Sequence, residues 1–581
     1  MANPSTPESG THVETAPEAR HAQPVLPLLI AAVGGLICYG LFFNRGIWLS
    51  VVGYSIAPAE RVMQGDVPYR DFLFNYTPGV LWLNAVVMKL FGVALMPIRI
   101  GLFAFKLASL IVLYLVGRRL IGSWPALIPV ALTLGWLGHK YIFNVHPTQY
   151  SMLFVLLALF PMLIYDDREG KRWLLLCGVA IGCVLLLKYN VGILLLAAAT
   201  ASLLIREKLR GNGLFSVAIV KKCAAVWAGF AVIAALLCVY MAYHRALGPM
   251  VEHFIHHASD YAEERAVGLP PLRSLIPVAA ACMAVGLGGL LTLRFAPKLF
   301  RPYVTLMMVL GSTAILIPGR AYILKDSATS AMAYFPLLMF GGALAMLLLR
   351  FRRGSSGLRT WKSERQIVIV GLFALAAYLE VFPRADYYHL VRVLPPVFLL
   401  LCLLISQIFP VAERYFKTYR PRQATQVSMA APLVLLLALG LQDTWRPQFD
   451  WRLRFINRFP APADRARGIL VGRRPAERIG RMTEIIQQNS SEDDYIFSFA
   501  RRGGAFYFLA GRRNPSRLLW WDSAGIKQED KGAVLGMLAE KRMKLILMQD
   551  GLADQRVRSS VNANYHEIGE VADIGIYDRN P

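Results

Sequence analysis

The residues best suited to chemistry lie in one polar segment that follows the first hydrophobic stretch of the chain. It reads Gln64-Gly65-Asp66-Val67-Pro68-Tyr69-Arg70-Asp71-Phe72. A carboxylate such as Asp71 can act as general base toward a hydroxyl, and the guanidinium of Arg70 matches phosphate oxygens. Charged groups are costly to desolvate beside hydrocarbon, so they usually mark a site there. Asp71 is therefore the first candidate for a catalytic base, with Tyr69 and Arg70 as substrate-binding residues.

A second carboxylate, Glu60, lies in the same loop and is the reserve candidate for the base. A simpler interpretation accounts for the same residues. A loop crossed by salt bridges that only caps neighbouring helices has the same composition, and the segment alone does not separate the two interpretations.

The rest of the chain must supply the framework for this loop, and it is strongly apolar. Of its 581 residues 56% are hydrophobic, and the mean hydropathy is +0.45. Stretches of roughly 20 apolar residues, enough to cross about 30 Å of hydrocarbon, recur along most of the length. The pattern predicts a polytopic α-helical membrane protein of about 13 transmembrane helices, near 24–43, 98–117, 124–138, 147–165, 173–188, 190–205, 223–243, 274–293, 303–318, 331–350, 366–382, 389–410 and 427–442.

The formal net charge is +25, and its distribution indicates a topology. Lys and Arg concentrate in short loops that follow every second span, as at Arg118-Arg119 and Arg352-Arg353. Such loops face the cytoplasm, so the N-terminus is predicted to be cytoplasmic and the chain beyond the last span to lie outside. No basic face is interleaved with stacking aromatic residues, which argues against nucleic acid as a partner.

The same pattern divides the chain into three parts. Residues 1–23 are predicted to be a disordered cytoplasmic tail, residues 24–442 a transmembrane domain, and residues 443–581 a small extracytoplasmic α/β domain. Residues 44–97 form a large first outer loop, with an interfacial helix at Thr77–Phe91. In the last part, strands are predicted at Tyr495–Phe499, Ala505–Leu509, Lys544–Met548 and Ile574–Tyr577, with a helix at Lys527–Arg542.

Other polar residues fall at the predicted outer ends of spans. Lys188 ends a very apolar helix, where a snorkelling lysine is the simpler interpretation. Arg384, Asp386 and His389 share one outer loop, and Asp386 and His389 are three apart, so that they share a face if the loop is helical. We expect Lys188, Arg384, Asp386 and His389 to bind substrate.

Metal binding is not predicted. His253, His256, His257 and Asp260 have the spacing of ligands on a helix, but surface histidines on an amphipathic helix explain them more simply. Asp166-Asp167 lies in a basic turn and is interpreted as a solvated turn. The sequence requires no cofactor and leaves a divalent cation open.

Several of these segments resemble the polytopic GT-C glycosyltransferases, in the group of dolichyl-phosphate-mannose-protein mannosyltransferases and aminoarabinose transferases of bacteria. The similar segments are Ala59–Phe72 with Tyr76-Thr77-Pro78-Gly79, Leu187–Gly192, Pro383–His389 with Pro395-Pro396, and Phe508–Pro515. The likeness covers nearly the whole chain from residue 24. One difference stands out, since many relatives carry an Asp-Glu pair early in the first loop, where this chain has Val51-Val52-Gly53.

The resemblance implies an inverting glycosyltransferase in the bacterial cytoplasmic membrane. Nucleotide sugars are cytoplasmic while the carboxylate-bearing loops face outward, so the expected donor is a polyprenyl-phosphate-linked sugar. The acceptor is then an extracytoplasmic glycan, lipid or protein, and membrane lipids surround the spans. The alternative is a non-catalytic membrane protein that binds or transports a lipid-linked sugar, which the missing acidic pair would favour.

Overall fold

The computed structural model describes residues 25–581 apart from 137–142, 211–215, 265, 272, most of 274–320, 353–357, most of 418–457, 522–526 and 554. Helices dominate up to residue 417. They are Val25–Gly40, Leu49–Val51, Ala57–Met63, Gly79–Phe91, Leu95–Ile121, Leu127–Gly135, Pro147–Arg168, Lys171–Leu187, Tyr189–Leu209, Val217–Tyr243, Leu247–Glu264, Ala321–Arg352, Leu358–Leu379, Tyr387–Leu390 and Leu394–Lys417. A π-helical turn spans Val52–Ile56, and a 3-10 turn spans Val391–Val393.

Six segments in the described part of the chain are long and apolar enough to cross a membrane. They are Leu95–Ile121, Pro147–Arg168, Tyr189–Leu209, Val217–Tyr243, Met332–Arg350 and Tyr387–Ile408. Each overlaps a predicted span, so the prediction of a polytopic α-helical membrane protein is confirmed. The predicted spans 24–43, 124–138, 173–188 and 366–382 are also helical but shorter or more polar, and 274–293, 303–318 and 427–442 lie largely outside the described residues.

Two helices of the bundle pack backbone against backbone at a pair of glycines. A Cβ added to Gly178 would lie 2.0 Å from the carbonyl oxygen of Val226, and one added to Gly229 would lie 2.2 Å from the carbonyl oxygen of Leu175. Gly178 and Gly182 also have the small-xxx-small spacing typical of closely packed membrane helices. Side chains at these positions would therefore force Lys171–Leu187 and Val217–Tyr243 apart.

Replacing Gly178 with alanine is expected to destabilise the protein by about 1–3 kcal/mol, the usual effect of overpacking. Thermal unfolding in detergent measures it as a lowered Tm. Gly371→Ala is the matched control, because an added Cβ there meets no described atom within 4 Å. Equal Tm values for the two variants would contradict the close approach.

The ends of three helices meet at a buried ion cluster around Asp166. Its Oδ1 accepts hydrogen bonds from Nε of Arg206 at 2.9 Å and from Nε of Arg365 at 2.7 Å. Asp166 is only 3% exposed. The interpretation of Asp166-Asp167 as a solvated turn is therefore wrong for Asp166, because partners from two other helices enclose its carboxylate.

The C-terminal part contains a short strand pair, β1 (Phe459–Pro460) and β2 (Leu470–Val471), and a four-stranded sheet of β3 (Ile496–Phe499), β4 (Leu545–Gln549), β5 (Tyr565–Val571) and β6 (Ile574–Arg579). The order of the strands in this sheet is β3-β4-β6-β5. Strands β3 and β4 are parallel and the other pairs of the sheet antiparallel. Helices Arg473–Gln488, Ala505–Leu509, Gln528–Ala539 and Gln555–Asn564 accompany it.

Most of the elements predicted in this part are confirmed. The strands near 495–499, 544–548 and 574–577 and the helix near 527–542 are present. The strand predicted at Ala505–Leu509 is wrong, since these residues form a helix. All five are buried, and a short, uniformly apolar run carries no periodicity that separates a buried strand from a buried helix.

The loop after the first helix is held against the C-terminal part by backbone groups. The N–H of Gly46 donates to the carbonyl of Leu470 at 2.8 Å, and that of Leu73 donates to the carbonyl of Arg517 at 2.8 Å. Arg517 returns a bond from Nη2 to the carbonyl of Tyr69 at 2.9 Å. The predicted helix in this loop is present at Gly79–Phe91, while its interfacial position stays a prediction.

Candidate active site

A buried ion pair lies at the junction between two consecutive helices of the bundle. Lys188 has an extended backbone between Lys171–Leu187 and Tyr189–Leu209, and its Nζ lies 2.6 Å from Oε1 of Glu380. The hydroxyl of Thr148 donates to the same oxygen. The side chains of Lys188 and Glu380 are 6% and 5% exposed. Buried charges of this kind need a partner, so Lys188 does not snorkel toward solvent.

A chain of aromatic and acidic side chains continues from this pair. The Lys188 ammonium lies 5.7 Å from the ring centre of Tyr76, and the Tyr76 hydroxyl lies 3.2 Å from Nε2 of His146. The His146 and His389 rings are 6.3 Å apart, edge to face. Nδ1 of His389 then lies 2.7 Å from Oδ1 of Asp386.

His146 is neutral in this chain. Burial, together with the positive charges of Arg392 and Lys188, lowers the pKa of its imidazole well below the usual range. Its Nδ1 accepts a bond from the N–H of Thr148, which it caps. The proton must therefore sit on Nε2, which donates to the Tyr76 hydroxyl.

Asp386 is ionised and holds the other end of the chain in place. Burial alone would raise its pKa, but the hydrogen bond from His389 and the charge of Arg384 lower the pKa to about 2. Nε of Arg384 lies 2.6 Å from Oδ2. Oδ1 accepts the N–H groups of Tyr388 and His389 and so caps Tyr387–Leu390. Asp386 and His389 thus lie together, with Asp386 as the extended N-cap of the helix that bears His389.

A cavity of about 70 Å³ lies next to this cluster inside the bundle. Two cations, Lys106 and Arg392, line it among apolar walls that include Trp136 and Phe398. Thr148, the partner of Glu380, lines it as well. Among the described residues, no carboxylate forms an ion pair with either cation. Two cations in apolar surroundings suit an anionic group attached to a lipid.

The charged side chains of the polar loop that carries Asp71 bond to other groups of the same loop. Nη2 of Arg70 lies 2.7 Å from Oδ2 of Asp71, and the same oxygen accepts the N–H of Val67 at 2.7 Å. The hydrogen bond from Arg70 is the main reason that the pKa of Asp71 is lowered. Tyr69 is fully buried with a φ of 69°, and its hydroxyl donates to the carbonyl of Tyr76.

Glu60 lines a second, polar cavity of about 470 Å³ between the first loop and the C-terminal part. Nη1 of Arg465 lies 2.8 Å from each carboxylate oxygen. Burial raises the pKa of Glu60, and the charge of Arg465 opposes that shift. Asp66 and Asp493 line the same cavity. Asp71 lines neither of the two cavities.

The residues at the position of the missing acidic pair are buried against the C-terminal part. Val52 and Gly53 begin the π-helical turn and are buried. A Cβ added to Gly53 would lie 2.7 Å from the backbone carbon of Gly504 and 2.8 Å from the nitrogen of Ala505. The C-terminal part therefore occupies the space where a longer side chain would stand at Gly53.

The structure gathers only part of the predicted site. It brings Lys188, Asp386 and His389 together, with Arg384 at the edge, whereas Glu60, Arg70 and Asp71 lie where the first loop meets the C-terminal part. Sequence reasoning missed Lys106, His146, Glu380 and Arg392. Three of these fall inside predicted spans, where an ionisable residue is itself a signal. Among the described residues, no three His, Cys, Asp or Glu side chains are placed to hold a metal ion.

Comparison with known proteins agrees with this architecture. Residues 75–236 match the family model described as dolichyl-phosphate-mannose-protein mannosyltransferase. The structure of ArnT from Cupriavidus metallidurans bound to undecaprenyl phosphate is similar at 13% identity and a TM-score of 0.53, covering 95% of this chain and 97% of that one. The apo form of ArnT gives 12% identity and a TM-score of 0.51, with the same coverage. No curated protein matches the chain significantly.

The fold is that of the GT-C superfamily, and the resemblance predicted from the sequence is confirmed. The chain is similar to ArnT over 95% of its length and to the mannosyltransferase family model over residues 75–236.

Proposed function

We propose that the protein is an integral-membrane, inverting glycosyltransferase. It moves one sugar from a polyprenyl-phosphate donor to an extracytoplasmic glycan, lipid or protein. The observation that carries this proposal is the apolar-walled cavity with Lys106 and Arg392, next to the cluster of Lys188 and His389. A lipid-linked phosphate needs cationic groups at the edge of hydrocarbon, and this cavity supplies them. The GT-C fold supports the same conclusion.

The proposed topology follows the sequence. About 13 spans cross the bacterial cytoplasmic membrane, the N-terminus is cytoplasmic, and residues 443–581 form an extracytoplasmic domain. The end of the bundle that bears Asp386 then faces outward, together with the first loop. This arrangement suits a donor that has already been flipped across the membrane.

The proposed chemistry is a single displacement at the anomeric carbon. The acceptor hydroxyl attacks from the face opposite the phosphate, so the configuration inverts. The electron pair of the broken bond leaves on polyprenyl phosphate. Arg392 and Lys106 stabilise the negative charge that grows on the phosphate. Stabilisation of developing charge by fixed groups is usually the largest single contribution to catalysis. Lys188, paired with Glu380, and Arg384, paired with Asp386, are proposed to orient the donor from beside this cavity.

The two loop carboxylates contribute less directly. Asp71 is paired with Arg70 and its pKa is lowered, which makes it a weaker base. Glu60 is held on both oxygens by Arg465. We propose that these residues, with Tyr69 and Arg70, hold the first loop against the C-terminal part and so shape the acceptor side.

The proposal is tested with detergent-purified protein and a panel of polyprenyl-phosphate sugars, by following the release of free polyprenyl phosphate. Wild type is expected to release it. Asp71→Asn is expected to retain release within about tenfold, because losing a general base costs about a hundredfold or more. A hundredfold loss would restore Asp71 as the base.

One observation favours the second candidate function, a membrane protein that binds or transports a lipid-linked sugar without turnover. Many relatives carry an acidic pair where this chain has Val52 and Gly53, and here both residues are buried against the C-terminal part. Binding of the donor without release, after the acceptors have been varied, would favour that function over the transferase.

A further inference from the structure

We propose that His389 is the general base of the transfer reaction and that Asp386 positions it. This inference rests on the proposed function, since it assigns the group that takes the proton of the acceptor hydroxyl. It replaces the substrate-binding role expected for His389 from the sequence. The acidic residues expected to do this work are absent at Val51-Val52 or held by arginines, at Asp71 and Glu60.

The hydrogen bond between the two side chains fixes the tautomer of His389. An ionised carboxylate only accepts hydrogen bonds, so at 2.7 Å from Asp386 the proton must lie on Nδ1. The lone pair of the neutral ring is then on Nε2. Within the described residues, Nε2 has no hydrogen-bond partner. An aspartate that orients a histidine base in this way also stabilises the imidazolium that forms.

Other groups around the ring are compatible with this role. His146 is already engaged through both of its nitrogens, with Thr148 and Tyr76. Lys188 and Arg392 are close enough for their positive charges to act on His389. Of the two histidines, His389 is therefore the one with a ring nitrogen that bonds to no described group.

The backbone places the proposed base beside the proposed phosphate site. Tyr387–Leu390 runs directly into the 3-10 turn Val391–Val393. Residues three apart lie on one face of such helices, so His389 and Arg392 share a face. Arg392 and Tyr388 line the cavity, while the His389 side chain keeps 17% of its surface exposed. The proposed base is thus partly exposed and lies one helical turn from the proposed phosphate site.

The step balances without a further reactant. The acceptor oxygen forms a bond to the anomeric carbon while the bond from that carbon to the phosphate oxygen breaks. The electron pair leaves on polyprenyl phosphate, and the acceptor proton moves to Nε2 of His389. The resulting imidazolium is held by the Asp386 carboxylate and later releases its proton to water.

The test is chemical rescue, because a structural role for His389 would not respond to it. His389→Ala is expected to lower the release of polyprenyl phosphate by about a hundredfold or more, and added imidazole is expected to restore part of it in a concentration-dependent way. Arg392→Gln should not respond to imidazole. Asp386→Asn keeps a side chain that caps the helix but loses the charge, so it is expected to lower kcat at least about tenfold while the protein remains folded.

The outcomes separate this inference from the function on which it rests. Release by wild type, with His389→Ala active or not rescued while folded, would overturn the role of His389 and leave the transferase in place. No release by wild type with any donor would contradict both. Rescue of His389→Ala together with loss of kcat in Asp386→Asn would support both.

Discussion

Arg392→Gln is expected to weaken the binding of polyprenyl phosphate and to lower its release from the sugar donor by about 10²–10³-fold. This is the effect of removing one group that stabilises charge developing in a transition state. Arg392 lines the cavity together with Lys106, and a guanidinium in apolar surroundings acts on a phosphate with little screening by water. Glutamine retains hydrogen-bond donors but is shorter than arginine, so the variant removes the charge and part of the reach of the side chain.

Two measurements give the result its meaning. Titration with polyprenyl phosphate reports binding, and release kinetics report turnover. Lys106→Met is expected to behave similarly, because it removes the other cation of the cavity. Arg473→Gln is the matched control, since Arg473 is 77% exposed and pairs only with Glu477 on its own helix among the described residues. Undiminished binding in Arg392→Gln would place the lipid phosphate elsewhere.

The helices that form the framework of the site were predictable because each is a long run of apolar residues. A membrane span needs roughly 20 apolar residues, and that pattern survives without any knowledge of neighbouring helices. The spans near 98–117 and 223–243 were therefore identifiable, and each corresponds to a helix of 27 residues. The strands of the four-stranded sheet have only 4 to 7 residues. The edge strand Tyr565–Val571, which pairs with β6, left no clear pattern in the sequence.

The partners within the site were not predictable from sequence spacing. Lys188 and Glu380 are 192 residues apart, and nothing local to Lys188 distinguishes a buried pair from a snorkelling side chain. Asp386 and His389 are three residues apart, and their pairing was predictable for that reason. Glu380 could have been noticed, because a carboxylate within the predicted span 366–382 is expensive unless it is paired.

The largest departure from the sequence interpretation is the proposed position of the active site. The polar segment 64–72 is rich in residues that suit catalysis, but Asp71 pairs with Arg70, Asp66 pairs with Arg61, and the backbone carbonyl of Tyr69 accepts a bond from Arg517 of the C-terminal part. Within the segment, the charge of Asp71 is neutralised by its neighbour Arg70. The cations of the apolar cavity are spread over distant helices, so they do not form a motif. The composition of a loop thus indicates where charged residues lie, while the structure shows which of them already form ion pairs.

Breaking the pair between Lys188 and Glu380 is expected to destabilise the protein more than any other single change considered. Removing one partner from a buried ion pair typically costs about 3–5 kcal/mol, because the other charge is left uncompensated. Both side chains are almost fully buried, and Thr148 bonds to the same carboxylate oxygen. Glu380→Leu and Lys188→Met should each lower the Tm in detergent markedly.

The double variant decides whether the pair serves stability alone. Lys188→Met with Glu380→Leu replaces both charges by apolar groups of similar size, which often restores stability, so its Tm is expected to approach that of wild type. Release of polyprenyl phosphate should nevertheless stay at least about tenfold below wild type, since the Lys188 charge acts near the site of phosphate departure. Full activity in a stable double variant would show that the pair is structural, and the phosphate would then depend on Lys106 and Arg392 without help from Lys188.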